Sequence, residues 1–222
     1  MALQDAFDRL TFNLDWQATF LRDFSSNKKG IGSASDFTLQ DECFIEGLLS
    51  RVWQSWCKFC RSCVIESCMG TVNGQGKAIA ALPHAFTEQH VSGAAIRANR
   101  KSAKPPYWGS PNALLRAEPT WGDVDVLANV LPKLKPTNSI ELLSAFSSGY
   151  QSAKALQVIR NGAAHEHSQS FGEIQKLRSR YVVFPIGHPT HAMFWIDPSS
   201  KDFLALKAID ELREVGSAAI SK

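Results

Sequence analysis

A long amphipathic pattern from Leu39 to about Met69 constrains the fold of this chain more than any other feature. Its apolar side chains recur at steps of three and four residues, which places them on one face of a helix. They are Ile45, Leu48, Leu49, Val52, Trp53, Trp56, Phe59, Cys60, Cys63 and Val64. Thr38, followed by Asp41 three residues later, suits the N-cap. We therefore predict one long core helix.

Further helix signals follow, and neither a strand–helix alternation nor an internal repeat is visible. A helix is expected between about Thr87 and Arg100, after a turn over residues 70–76. Helix starts are expected at Ser110 before Pro111, Thr120 with Asp123, Asn138 with Glu141, Ser170 with Glu173, and Ser199 with Asp202. The helix after Thr120 should end before Pro132 or Pro136, and the one after Asn138 should run from Ser139 towards His165.

These signals predict a mainly α fold, a helical bundle with one small β element. Residues Tyr181 to Ile196 are rich in β-branched and aromatic side chains around a Gly-His-Pro turn, so they should form a small hairpin or an extended crossover. We expect a single domain over residues 1–222. Within it, residues 1–36 should dock on the bundle of residues 37–222 through their apolar side chains, and residues 27–33 should form a mobile linker.

Composition excludes several classes of protein. The 222 residues are 44% hydrophobic and 20% charged, which is typical of a globular domain and not of a disordered chain. The net charge of +3 tolerates an acidic partner such as RNA without requiring one. We expect no membrane partner, because no apolar run has bilayer-spanning length, and the start lacks a signal-peptide layout. Five cysteines, an odd number, argue against a secreted disulfide framework and favour the cytoplasm.

The cysteines raise the possibility of a metal centre. Cys57, Cys60, Cys63 and Cys68 have spacings that resemble an iron–sulfur run. On a continuous helix, however, Cys57 and Cys68 are about 16 Å apart, at 1.5 Å per residue, which is too far for one cluster. Free cysteine commonly packs in cores. We therefore expect core packing and no metal or other cofactor.

The remaining histidines outside the C-terminal motif give weaker signals. His188 and His191 suggest either a metal pair or half of a two-histidine phosphoesterase, but the second histidine motif of such an enzyme is missing. No carboxylate pattern nearby completes a site. We expect a turn with packed or solvent-facing histidines. His84 and His90 stand alone and predict no site.

A basic stretch in the middle of the chain is a candidate RNA-binding element. Its cations precede two aromatic residues; they are Arg97, Arg100, Lys101 and Lys104, followed by Tyr107 and Trp108. Cations beside rings are typical of single-stranded RNA recognition. The alternative is a solvated helix end whose cations complement the helix dipole.

The strongest functional candidate is the hexapeptide from Arg160 to His165, which has the sequence RNGAAH. In an unbroken helix, Asn161 and His165 lie on one face, and the preceding apolar stripe brings them towards the apolar side. There they would be hydrogen bonded or line a cleft. Alternatively, Asn161-Gly162 ends the helix, which leaves Arg160 as a last-turn cation and His165 on the surface. The pattern alone leaves both open.

The hexapeptide resembles the signature of the HEPN superfamily (higher eukaryotes and prokaryotes nucleotide-binding domains). That signature is an arginine, a polar residue that is most often asparagine, and a histidine a few positions further on. The resemblance implies an α-helical bundle and a metal-independent endoribonuclease whose site forms where two protomers meet. It implies that His165 is the general base or acid and that Arg160 stabilises the charge on the phosphate. Asn161 would orient either the histidine or the phosphate by hydrogen bonding. His167, two residues on, should point elsewhere on a helix.

We therefore expect a cytoplasmic endoribonuclease that acts on RNA as a homodimer. By analogy with the family, it should serve as a toxin or an anti-phage effector, restrained by an antitoxin or another regulatory protein. One alternative is a non-catalytic dimerisation or nucleotide-binding module of the same family. A cysteine-ligated metal protein is a third.

Overall fold

A computed structural model describes residues 2–28, 30–109, 115–165 and 167–221. The described chain is mainly helical, as predicted. The α-helices are α1 Leu3–Ser26, α2 Leu39–Met69, α3 Glu88–Ala98, α4 Val124–Leu134, α5 Ser139–Ser148, α6 Tyr150–Ala164, α7 Ser168–Leu177 and α8 Leu204–Ile220. Short 3₁₀ helices lie at Ala34–Asp36, Leu115–Ala117, Arg178–Arg180 and Pro189–Phe194. The helix start expected at Ser110 and Pro111 lies outside the described residues.

Helix α2 has the bounds that the sequence predicts. The backbone N–H of Thr38 donates to the Asp41 carboxylate at 2.7 Å, and the N–H of Asp41 donates to the Thr38 hydroxyl at 3.3 Å. These reciprocal bonds satisfy backbone groups that the first turn leaves without helical partners. The apolar stripe is buried, and burial raises the pKa of the Cys68 thiol to about 12. Cys60 and Cys63 are buried in the same stripe, which confirms their packing role.

A small antiparallel sheet follows α2, where the sequence predicted a turn. Strand β1 (Thr71–Val72) pairs with β2 (Ala78–Ile79). Between them, the Asn73 side chain accepts backbone N–H groups from Gln75 and Lys77 at 3.0 and 2.8 Å. The predicted turn is therefore the connection of a hairpin.

The hairpin or extended crossover expected at 181–196 is confirmed only at its ends. Val182 and Ile196 form an isolated antiparallel bridge. Between them lies the 3₁₀ helix Pro189–Phe194, which begins at a capping His188 whose ring accepts the Thr190 N–H at 3.4 Å. A proline at the first helical position has a suitable φ and loses no hydrogen bond there, so it favours this short helix over a second strand.

Three predicted helix starts are wrong by several residues. Helix α4 is capped by Asp123 and not by Thr120, and it contains Pro132 in its last turn. Helix α7 is capped by His167 and not by Ser170. Helix α8 begins at Leu204, because the Asp197 carboxylate instead accepts the N–H groups of two serines in a turn; they are Ser199 and Ser200.

The long helix expected from Ser139 towards His165 is wrong, since it is two helices that separate at Gly149. A Cβ at Gly149 would lie 2.6 Å from Cγ2 of Val215, so the backbone approaches that side chain more closely than any other residue would permit. Asn138 occupies the predicted N-cap position, but the expected capping box is absent. The Asn138 side chain makes no capping bond and donates to the Ser67 hydroxyl at 3.1 Å.

The chain divides into two compact units, each discontinuous in sequence. The first unit comprises the described residues of Met1–Leu10, Trp56–Tyr150 and Glu214–Lys222, and the second comprises those of Thr11–Ser55 and Gln151–Arg213. Buried side chains of the first unit include Trp56, Leu127, Leu131 and Phe146. Those of the second include Leu14, Ile45, Ile159 and Phe194. The prediction of one domain, with residues 1–36 docked on the rest, stays a prediction.

Candidate functional site

Helix α6, in the second unit, carries the Arg160–His165 motif. The helix continues through Asn161 and Gly162 to Ala164, so the Asn-Gly pair does not end it. A Cβ at Gly162 would lie 2.7 Å from Cδ1 of Ile174 and 3.2 Å from Cβ of Pro189. The glycine therefore permits close packing of α6 against α7 and the 3₁₀ helix Pro189–Phe194. Its role is packing, not chain reversal.

The side chains of Asn161, on α6, and of His165, directly after α6, are exposed and line one cleft. The backbone N–H of His165 donates to the Asn161 carbonyl at 3.0 Å, as helical geometry requires. Our expectation that both lie towards the apolar side is wrong. The break at Gly149 sets a new phase for α6, so a stripe extrapolated from α5 does not apply to it. Exposure leaves both side chains accessible to a ligand.

Arg160 is half-buried next to this face. Its Nη1 donates to Oδ1 of Asn161 at 3.2 Å. That bond fixes the orientation of the asparagine amide, because the oxygen is occupied as an acceptor and the amide N–H₂ remains for a further acceptor. The motif therefore presents a guanidinium, an oriented amide and an imidazole within one and a half helical turns.

A cleft of about 260 Å³ opens where α6 meets the start of α7. It contains two of the three predicted catalytic residues, Asn161 and His165, together with His167, Ser170 and Glu173. Its polar side chains supply proton carriers and hydrogen-bonding groups. The cleft therefore has the chemistry of a proton-transfer site.

His167 lies in this cleft, contrary to our expectation that it would point elsewhere. The helix ends before it, and its ring caps α7 by accepting the Ser170 N–H on Nδ1 at 3.2 Å. Since Nδ1 is the acceptor, Nε2 carries the proton of the neutral ring. The Ser170 hydroxyl also donates to the His165 carbonyl at 2.6 Å, which holds the connection between the two helices.

Glu173 is the acidic side chain among the described residues of the cleft. Nζ of Lys176 lies 2.5 Å from its Oε1, in an exposed ion pair. That cation offsets the carboxylate charge, although water screens exposed pairs of this kind. A phosphate in the cleft would therefore meet one carboxylate whose charge Lys176 offsets only in part.

A second polar cluster, which the sequence did not reveal, joins the HPTH segment to α2. Nε2 of His191 lies 3.0 Å from Oε1 of Glu42, and Nε2 of His188 lies 3.2 Å from Oε1 of Glu46. The expectation of packed histidines is confirmed, since both rings are buried, and the carboxylates beside them come from a helix that is distant in sequence. The available signal was the spacing of Glu42 and Glu46, which places both on one face of α2.

The two histidines of this cluster are buried, and its two glutamates are partly exposed. The ring of His191 stacks on Phe37 with centroids 4.1 Å apart, and its Nδ1 accepts the N–H of Gly187 at 3.2 Å. Burial lowers the pKa of His191, despite the opposing effect of Glu42. Nδ1 thus accepts a backbone N–H and Nε2 donates to Glu42, so neither ring nitrogen is left to ligate a metal. Across the described ranges, no group of three or more His, Cys, Asp or Glu side chains is placed to hold a metal ion.

The predicted RNA-binding cations lie in the first unit, at and beyond the end of α3. Arg97 is in the last turn of α3, and its guanidinium lies against Gly109. Arg100, Lys101 and Lys104 are exposed. In the chain, these residues come just before Tyr107 and Trp108, which line a groove of about 1000 Å³. The lining of this groove also includes His84, Phe86 and His90. The two isolated histidines therefore share one surface with the aromatic pair.

Comparisons with protein-family models, with curated proteins and with solved structures each find no match to this chain. In the part of the chain that the structure describes, no helix is both long enough and apolar enough to cross a bilayer.

Proposed function

We propose that this protein is a metal-independent endoribonuclease of the HEPN type that cleaves RNA at a composite homodimer site. One observation carries the proposal: Asn161 and His165 face a common cleft, while Arg160 donates to the Asn161 amide at 3.2 Å. The motif is thus accessible and internally organised, as a site that contacts RNA must be. The resemblance of the hexapeptide to the HEPN signature selects this reaction among those that the same groups can catalyse.

The chemistry uses the nucleophile that RNA itself carries. The 2′-oxygen attacks the adjacent phosphorus, the bond from phosphorus to the 5′-oxygen breaks, and the leaving oxygen takes a proton. His165 accepts the 2′-hydroxyl proton or donates to the 5′-oxygen, a role typically worth about 10²–10⁴-fold in rate. The products are a 2′,3′-cyclic phosphate and a 5′-hydroxyl.

Arg160 and Asn161 act on the phosphate. The guanidinium is a permanent planar cation that matches the non-bridging oxygens, on which negative charge develops in the transition state. The amide N–H₂ of Asn161, oriented by the bond from Arg160, donates to the same group or to the histidine. Both interactions strengthen as the charge develops, so they accelerate the reaction.

The reaction needs a base and an acid, and the motif of one protomer supplies a single histidine. In the composite site, the second imidazole comes from the partner protomer across a two-fold interface. His167 of the same chain is the rival source, because it lies in the same cleft and carries its proton on Nε2. Only the first arrangement requires a dimer for activity.

The biological role that fits such an enzyme is that of a toxin or an anti-phage effector in the cytoplasm, held in check by an antitoxin or another regulatory protein. The alternative function is a non-catalytic dimerisation or nucleotide-binding module. Glu173 favours the dimerisation form of this alternative, because its carboxylate, which Lys176 offsets only in part, opposes the approach of a phosphate.

Incubation of the purified protein with RNA in excess EDTA tests the proposal. Cleavage should survive chelation and disappear in both Arg160→Ala and His165→Ala. Arg116→Ala is the matched control, since it removes an exposed arginine of the first unit. A wild-type protein that leaves RNA intact in this assay, while remaining folded and dimeric, supports the non-catalytic module instead.

A further inference from the structure

The groove of the first unit is large and rich in rings. Its volume of about 1000 Å³ lies at the upper end of the range typical of ligand pockets. Phe86 is 72% exposed there, which is unusual for a phenylalanine without a partner that covers it. Its ring meets that of His90 edge to face, with centroids 5.5 Å apart. Tyr107 and Trp108 line the same groove and are partly exposed.

The charges of this surface have one sign. The lining residues that the structure describes include Lys133 and Lys135 and no aspartate or glutamate. Nζ of Lys133 donates to the Ala98 carbonyl at 2.6 Å and lies 5.8 Å from the centre of the Tyr107 ring, so it holds the ring in place. Lys135 is exposed and available to a ligand.

The segment of chain before Tyr107 adds three exposed cations, Arg100, Lys101 and Lys104. Rings and cations without acidic side chains complement a ligand that carries both flat bases and phosphates. A proline-rich peptide would use the rings but leave the cations without a role. A duplex would use the cations but keep its bases stacked on one another.

We propose that this groove binds single-stranded RNA. Unpaired bases stack on Phe86 and Trp108, while Lys135 and the cations of residues 100–104 contact the phosphates. This inference rests on the proposed ribonuclease only for the choice of RNA over single-stranded DNA. It extends that function by naming unpaired RNA as the substrate class and by assigning a binding surface outside the catalytic motif.

The test is a fluorescence anisotropy titration with a short single-stranded 2′-O-methyl RNA, which lacks the nucleophile and stays intact. Wild-type protein should bind it, and the affinity should fall steeply as salt increases. Phe86→Ala and Trp108→Ala should each weaken binding by roughly 5- to 150-fold, as expected for the loss of one stacked base. Phe12→Ala is the matched control, because Phe12 is 63% exposed in the second unit. Its affinity should equal that of the wild type.

The cationic contribution is measured separately. Lys135→Ala combined with Lys101→Ala should reduce the slope of log affinity against log salt by about 1.4, at roughly 0.7 per phosphate contact. Phe86→Ala should lower the affinity and leave that slope unchanged. The two variants thus separate stacking from phosphate contacts.

Three results overturn the inference: equal affinity for a duplex of the same sequence, unchanged binding by Phe86→Ala and Trp108→Ala, or binding of a polyproline peptide in place of RNA. Its failure is distinguishable from that of the proposed function. Binding of the methylated RNA without cleavage of unmodified RNA leaves the groove assignment intact and contradicts the ribonuclease. Cleavage of unmodified RNA, together with unchanged binding by Phe86→Ala and Trp108→Ala, supports the ribonuclease and contradicts the groove assignment.

Discussion

Nε2 of His191 lies 3.0 Å from Oε1 of Glu42, and this contact joins two segments separated by 149 residues. The imidazole is 1% exposed and stacks on Phe37, so its neutral form is held between a ring and a carboxylate. The neighbouring pair of His188 and Glu46 repeats the arrangement one turn of α2 further on. The second unit therefore contains two histidine–carboxylate contacts between residues that are distant in sequence.

Stability should decrease as the pH falls below about 6.5. Burial lowers the pKa of His191 in the folded protein, whereas the unfolded chain titrates at the ordinary value of about 6.5. Below that pH the unfolded state binds a proton that the folded state does not, so unfolding becomes more favourable. Thermal unfolding at pH 7.5, 6.5 and 5.5 measures the effect.

The control for this prediction is His191→Gln, which removes the titrating group. It should lose part of the pH dependence between 6.5 and 5.5. Asp197 contributes little in this window, because hydrogen bonds from Ser199 and Ser200 lower its pKa to about 2. An unfolding temperature with the same pH dependence in both proteins would contradict the assignment to His191.

The carboxylate of Glu118 should contribute measurably to the stability of the first unit. It accepts hydrogen bonds from Arg61 Nε at 2.6 Å and from Trp121 Nε1 at 2.9 Å. Partial burial raises the pKa of Glu118, but these bonds outweigh it and lower the pKa overall. Glu118→Gln should reduce the free energy of unfolding by about 2 kcal/mol, since it weakens charge-assisted hydrogen bonds. Chemical denaturation measures the loss.

Glu173→Gln is the matched control for Glu118→Gln, because the Glu173–Lys176 ion pair is exposed. Exposed pairs are worth about 0–1 kcal/mol. If both variants lose the same stability, the Arg61–Glu118 contact has no special role in the fold.

Gly162→Ala should destabilise the second unit although alanine favours helices. Helix propensity alone would stabilise by about 1 kcal/mol. The added Cβ would lie 2.7 Å from Cδ1 of the fully buried Ile174 and 3.2 Å from Cβ of the rigid Pro189 ring, however, and overpacking typically costs about 1–3 kcal/mol. A lower unfolding temperature is therefore expected. Gly47→Ala in α2 is the control, since among the described residues no atom outside the adjoining helix backbone lies within 4 Å of its added Cβ, and it should raise that temperature. Equal gains in both variants would contradict close packing at Gly162.

The sequence predicted the features that depend on neighbouring residues. Helix α2 follows from the spacing of its own side chains and from the Thr38 cap, and the motif on α6 is contiguous. The break at Gly149 was missed although Ser148-Gly149 is a local turn signal, and the close approach of Gly149 to the distant Val215 could not be read from the sequence. Because this break was missed, Asn161 and His165 were predicted to lie on the apolar side, whereas they are exposed.

Two residues of the candidate surfaces, His167 and His84, were not predicted. One depends on where a helix ends, and the other depends on residues that are distant in sequence. The position of His167 depends on where α6 stops, and the pattern did not show that α6 ends at Ala164. His84 gave no signal because most of the residues that line the groove with it are more than 20 residues away, as at Tyr107 and Lys133. Chemistry-bearing residue types are readable from the sequence, whereas their assembly depends on tertiary contacts.

The composite site predicts that activity depends on protein concentration. Cleavage per protomer should fall on dilution below the dimer dissociation constant, because half of the site is then missing. His167→Asn should retain activity, since asparagine preserves the N-cap of α7 while removing the imidazole. Activity measured across dilutions, with oligomeric state monitored by light scattering, tests this. Constant activity per protomer, with a loss of about 10²–10⁴-fold in His167→Asn, would show that one chain contains both histidines.

End-group analysis of RNA cleaved in excess EDTA tests the central claim most directly. Wild-type protein should produce 2′,3′-cyclic phosphate and 5′-hydroxyl ends, and His165→Ala should produce neither above background. Substitution of a 2′-O-methyl group at a cleaved position should block cleavage there, because the nucleophile is removed. Products with 5′-phosphate ends, or a His165→Ala protein that cleaves at the wild-type rate, would contradict the mechanism and its assignment to this motif.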